Sequence, residues 1–177
     1  MRILRRSLIC LFFLSWLPGA ALAADVDRFV GTYLGEAEVV IEGEAERRDL
    51  STTILPTEDG FSVQWSSVIY RADGQASAKS YTIEFTPSQR PHIFGSAMAT
   101  NVFGKQVPLD PLRGEPFVWA RFEGDTLTVY SLFINEEGEY EMQEYHRTLA
   151  EGGLDLMFRR VSKGGPQREI RAFLARQ

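Results

Sequence analysis

The sequence predicts an all-β protein, a single antiparallel up-and-down β-barrel of 8 to 10 strands. Three observations point there. Beyond residue 24, short runs rich in β-branched and aromatic residues alternate with turn segments such as "ADGQ", "EGD", "NEEG" and "EGG", and helical periodicity is scarce. Within the runs, apolar and polar side chains alternate, as they must in a sheet that buries one face. The number of clear runs is even, so an antiparallel sheet built from them can close with its first strand beside its last and leave no exposed edge.

The front of the chain stands apart from this pattern. Arg2, Arg5 and Arg6 precede the apolar stretch "LICLFFLSWL", and Ala21-Leu22-Ala23 supplies the small residues of a signal-peptidase site. Residues 1–23 therefore read as a signal peptide cut between Ala23 and Ala24, and residues 24–177 as one domain of ordinary size in the periplasm or secreted. The apolar stretch falls short of the about 20 residues of a spanning helix, so no permanent membrane insertion is expected. Cys10 lacks the small residues of a lipoprotein cleavage site before it. Arg5-Arg6 followed by "SLI" only faintly resembles a twin-arginine signal, and ordinary secretion is the simpler reading.

Cleavage would remove the only cysteine, leaving no disulfide, thiolate metal site or cysteine nucleophile. It would also remove three arginines, taking the formal charge from −5 to −8. Such a chain is a poor partner for nucleic acid, which needs a basic face. From Arg147 onward, Arg147, Arg159, Arg160, Lys163, Arg168, Arg171 and Arg176 outnumber Glu151, Asp155 and Glu169. This basic end reads as a balance to the acidic body.

Eight strands are expected, at 32–41, 47–55, 61–70, 77–86, 117–122, 126–134, 139–149 and 154–161. The clearest, "FSVQWSSVIY", puts Phe61, Val63, Trp65, Ser67 and Ile69 on one face. In the next, Tyr81, Ile83 and Phe85 oppose Ser80, Thr82 and Glu84. The last four strands form a meander. In the strand at 139–149, Tyr140 and Met142 share a face but Tyr145 falls on the other, which predicts a β-bulge near Gln143 and Glu144. The segment from Pro87 to Pro116 breaks the rhythm, yet carries Ile93, Phe94, Met98, Val102 and Phe103. It reads either as a hidden pair of short strands or as a lid over one end of the barrel. At the end of the chain, "PQREIRAFLARQ" fits a short C-terminal helix, with a further strand as the alternative.

The first strand opens with "FVGTY". This phrase resembles the Gly-x-aromatic signature of the calycins, the lipocalins and fatty-acid-binding proteins, in which a late arginine packs over the first-strand aromatic. The resemblance implies a lipocalin-like barrel closed by Gly31 and Tyr33 with Arg159 or Arg160, since counting eight alternating strands puts the end of the last at the rim where the first begins. Tyrosine replaces the usual lipocalin tryptophan. The Thr-Asp-Tyr signature is missing, and the Arg-x-Tyr carboxylate clamp of fatty-acid-binding proteins has no counterpart in "LDLMFRRV".

A small barrel holds either its own side chains or one modest ligand. Candidate ligand-binding residues are Trp65, Tyr81, Phe94, Met98, Phe103, Trp119, Arg121 and Tyr130, with Tyr140 and Met142 beside them. If Phe117 and Trp119 face inward so does Arg121, which could meet a ligand carboxylate or pair instead with Glu123 or Asp125. His92 and His146 have no metal-ligand spacing, and the acidic runs at 42–46 and 136–139 lack the ladder of a calcium loop. No nucleophile elbow, phosphate loop or zinc-protease helix occurs, so neither catalytic residues, metal nor cofactor is expected. The expected function is binding or carrying a small apolar ligand. The alternative is a ligand-free structural or interaction module of the cell envelope with a filled barrel, its protein partner unidentified.

Overall fold

The computed structural model describes residues 25–41, 44–71, 74–96, 99–100, 106–163, 165 and 168–177. Residues 1–23, read from the sequence as a signal peptide, and Met98 and Phe103 lie outside the described residues. The strands are β1 (Gly31–Ile41), β2 (Glu44–Pro56), β3 (Phe61–Tyr70), β4 (Ala76–Pro87), β5 (Ile93–Ser96), β6 (Ala99–Thr100), β7 (Gln106–Val107), β8 (Phe117–Glu123), β9 (Thr126–Ile134), β10 (Tyr140–Ala150), β11 (Gly153–Ser162) and β12 (Arg168–Arg176). Ten of them close into one antiparallel barrel in the order β1-β12-β11-β10-β9-β8-β5-β4-β3-β2, and β6 and β7 form a separate two-stranded sheet. All eight expected strands are present, with bounds moved by three residues at most.

Two strands join them. The segment after Pro87 contributes β5, which pairs with the end of β4 and with β8. The chain end is β12 rather than a helix. Its residues alternate, with Ile170, Ala172 and Leu174 inward and Glu169, Arg171 and Phe173 outward, and it pairs with β11 on one side and β1 on the other. A helix there would leave the β1 and β11 edges with unpaired backbone groups, and that cost outweighs a weak amphipathic stripe.

The expected bulge is absent. β10 runs in unbroken register with β9 through Tyr140–Thr148 and with β11 through Glu141–Ala150. Its inward residues are Glu141, Gln143, Tyr145 and Arg147, and Tyr140 and Met142 point outward.

Insertion of β5 reverses the end at which β11 finishes, so Arg159 and Arg160 lie far from Tyr33. The barrel closes on Arg176, which stands opposite Tyr33 in the β1–β12 ladder with its guanidinium 5.7 Å from the ring centroid. The same guanidinium donates to the Val30 carbonyl. Gly31 has φ of 153°, and a Cβ there would come within 3.2 Å of Arg176 Nε and 3.4 Å of Tyr33 Cζ. The aromatic and the glycine of the opening signature thus serve one contact, with a different arginine from the expected one.

The barrel is filled at the end where β1 starts. Phe61 lies 5.1 Å from Phe85, 5.0 Å from Phe94 and 5.3 Å from Phe122 between ring centroids, and Phe29 lies 5.4 Å from Phe122. Val26 and Phe29, just before β1, plug this end, and the Tyr33 hydroxyl donates to the Phe29 carbonyl at 2.9 Å. The ion pair Arg28–Asp125 and a hydrogen bond between His92 and Asp25 clasp the plug to the wall. Ala120 faces the same core, and its small side chain leaves room for the rings around it.

Arg176→Ala is expected to lower stability by about 1 kcal/mol, the worth of a partly exposed cation–π contact with one hydrogen bond. Arg159→Ala should shift it by less than about 0.5 kcal/mol. Urea denaturation of both variants checks this order.

Candidate functional site

Toward the other end the lumen opens into a cavity of about 260 Å³. Its walls come in three layers, set by the register of the strands.

The floor is Arg147. It faces inward between Leu127 on β9 and Leu156 on β11, and only 1% of its surface is exposed. No carboxylate pairs with it among the described residues. Its Nη1 donates to the Tyr145 carbonyl at 3.4 Å, and its Nε has no hydrogen-bond partner. The guanidinium lies 5.6 Å from the Trp65 ring and 5.9 Å from the Tyr145 ring. Burial pulls its pKa down to about 10, partly offset by Tyr145, so it still carries its charge at neutral pH. That displacement corresponds to about 3 kcal/mol against the charged form. The ring contacts recover about 0.5 to 2 kcal/mol of it.

Above the floor is an aromatic belt. Trp65 stacks on Tyr81 at 5.4 Å and tilts against Tyr145 at 5.5 Å, and Tyr145 meets Phe158 at 4.9 Å. Leu50 and Ile170 complete it. Burial, the largest cause, pushes the Tyr145 phenol up to about 12, so it remains a neutral hydroxyl.

The mouth is a collar of Arg48, Lys79, Arg160 and Arg168. Arg48 pairs with Glu46 at 2.8 Å, and Arg160 Nε donates to Glu141 at 2.7 Å. A hydrogen-bonded ladder follows the inner face of β10 toward this collar. The Tyr145 hydroxyl donates to Gln143 Oε1 at 2.9 Å, and Gln143 Nε2 donates to Glu141 Oε1 at 2.6 Å. A smaller cavity of about 150 Å³ shares Trp65, Tyr81, Gln143 and Tyr145, and lies between β4 and β8 where β5 has ended. A wider depression, about 710 Å³, is an open groove on the outer wall around His146, Asp155 and Arg171. Two of its charged or polar groups are paired with neighbours, His146 with Glu144 and Arg171 with Glu169, and it lies open to solvent, so the lumen is the better candidate.

Of the residues expected to bind a ligand, Trp65 and Tyr81 line the cavity. Phe94 is buried in the phenylalanine cluster at the filled end. Trp119, Arg121 and Tyr130 are on the outer face, because Val118, Ala120 and Phe122 take the inward positions of β8. Trp119 stacks on Tyr130 there at 4.9 Å, and Arg121 pairs with Glu123 at 2.9 Å. Arg159 also points outward, 4.0 Å from Glu144, and Arg160 belongs to the collar. Met98 and Phe103 are outside the described residues.

Counting Arg147 into the basic end of the chain hides it. The signal for it is nevertheless present, since Arg147 shares a period-two face with Tyr145 and Leu149 within one strand. Arg147, Arg160 and Arg168 therefore line the lumen instead of balancing an acidic surface.

Among the described residues no three His, Cys, Asp or Glu side chains form a group able to hold a metal ion. A scan against models of known protein families and a search of curated proteins both find no match. The ten-stranded antiparallel barrel is consistent with the calycin-like form in general.

Arg147→Met replaces a desolvated cation by an apolar chain of similar length. In protein refolded without ligand it is expected to raise unfolding stability by about 1 to 3 kcal/mol. Equilibrium urea melts give the difference directly.

Proposed function

We propose that this protein binds one small organic acid in the lumen of its barrel, with the acid group against Arg147 and the apolar body in the Trp65–Tyr81–Tyr145–Phe158 belt. The observation that carries this is the unpaired, buried Arg147 at the floor of an open cavity. A buried cation without a counter-ion is costly, and a carboxylate reaching it supplies charge and hydrogen bonds together. The cavity is smaller than the roughly 300 to 1,000 Å³ usual for drug-sized ligands, which favours a small molecule.

The reading replaces a purely apolar ligand with an amphipathic acid, for which lipocalin-like carriage outside the cytoplasmic membrane is the proposed setting. The leader at residues 1–23 supports that location. The proposed activity is binding without turnover. The phenylalanine-filled half favours the alternative of a solid structural barrel, but an aromatic cavity ending on a bare guanidinium has no use in that alternative.

Trp65 reports on occupancy because it touches Arg147. In a Trp119→Phe background, titration with small arylalkyl and aliphatic carboxylic acids should quench or shift its fluorescence saturably. The methyl esters of the same acids should bind at least about tenfold more weakly, and Arg147→Met should abolish that preference. Esters binding as tightly as acids would refute the assignment of Arg147.

A further inference from the structure

We infer that the ligand carries two acidic groups, one at each end of its apolar body, the second held at the mouth by Arg168 and Lys79. This rests on the proposal that the lumen binds an organic acid through Arg147. Five cationic side chains line the cavity, in a chain whose formal charge is −5. Two of them have carboxylates of their own, Arg48 with Glu46 and Arg160 with Glu141. Arg147, Lys79 and Arg168 have none among the described residues. A ligand with a single acid would neutralise Arg147 and leave the other two facing each other across the mouth.

The register gives the spacing. Arg147 is level with Leu156 and Ala172, whereas Arg168 is level with Arg160 and Gln143, four residues nearer the mouth. On the opposite wall, Lys79 is level with Ser67, two residues beyond the Trp65–Tyr81 pair. Four residues of strand cover about 13 Å, and strand tilt shortens this to about 10 Å along the barrel axis. Between the two levels the walls are Tyr145, Phe158 and Ile170 facing Trp65, Tyr81 and Leu50. Deep cation, apolar belt and outer cations thus follow one another along the cavity, and a molecule that is acidic at both ends and apolar between them matches all three. An extended chain advances about 1.2 Å per bond, so about eight bonds join the two acids.

A collar of unpaired cations has another physical use, which is to steer any anion inward by its field. The two uses differ in what they discriminate. The full chain is titrated by calorimetry with decanedioate and with its monomethyl ester, which has the same length but one acid. The diacid should bind at least about tenfold tighter, as expected for a second charge-assisted contact. In the Lys79→Gln/Arg168→Gln double variant the ratio of the two affinities should fall toward one. Lys79 is exposed and Arg168 half-buried, and thermal melts are to check that the variant folds. Equal affinities in the wild type overturn the two-acid ligand while leaving the one-acid reading intact, provided binding still depends on Arg147. A double variant that weakens both compounds alike assigns the collar to steering and also overturns it. If neither compound binds, both proposals fall together.

Discussion

Closure of the sheet is the constraint on which the rest of this structure depends. Once β12 pairs with both β11 and β1, every barrel strand has a neighbour on each side, and a shift of one residue would turn a whole strand inside out. The Tyr33–Arg176 contact and the plug at Phe29 sit at that seam. Every lumen residue owes its direction to this closure, including the charged ones that no local preference would place there.

Ten strands also set the width. An eight-stranded barrel is just wide enough for its own side chains to fill, and two more strands enlarge the interior. Here the added space is divided unequally. Five phenylalanines, Phe29, Phe61, Phe85, Phe94 and Phe122, pack the end where β1 begins, each worth about 1.5 to 3 kcal/mol on burial. Together they exceed several times the roughly 3 kcal/mol that desolvation sets against the charge on Arg147. The filled half therefore stabilises a fold whose open half holds an uncompensated cation, a division of labour in which stability and recognition occupy opposite ends of one barrel.

Recognition in the open half depends on order as much as on composition. Gln143 is held at both ends, by the Tyr145 hydroxyl and by Glu141, which in turn holds Arg160. That ladder keeps the β10 wall fixed without using Arg147, whose remaining donors are left for a guest. The phenol of Tyr145, neutral because it is buried, gives its one proton to Gln143, so hydrogen bonds to a bound acid are left to the guanidinium two residues away on the same face.

The amino-acid sequence by itself determined eight of the ten barrel strands, most of their bounds, and the inward faces of β3 and β4, because alternation and turn composition are local and depend on sterics within a few residues. It also carried the Gly31–Tyr33 seam, since a glycine two residues before an aromatic is a local pattern. Only the tertiary structure decided which arginine meets that seam and which charges enter the lumen. Those depend on how many strands intervene and how each pairs: β5, four residues long, was invisible as a pattern and reversed the end reached by Arg159 and Arg160. Trp119 and Arg121 went outward because Val118, Ala120 and Phe122 pack better against Phe94 and Phe61, a preference that exists only between residues far apart in the chain. Arg147 entered the core for the same reason, carried inward by a ladder whose backbone pairing outweighs the cost of burying one charge.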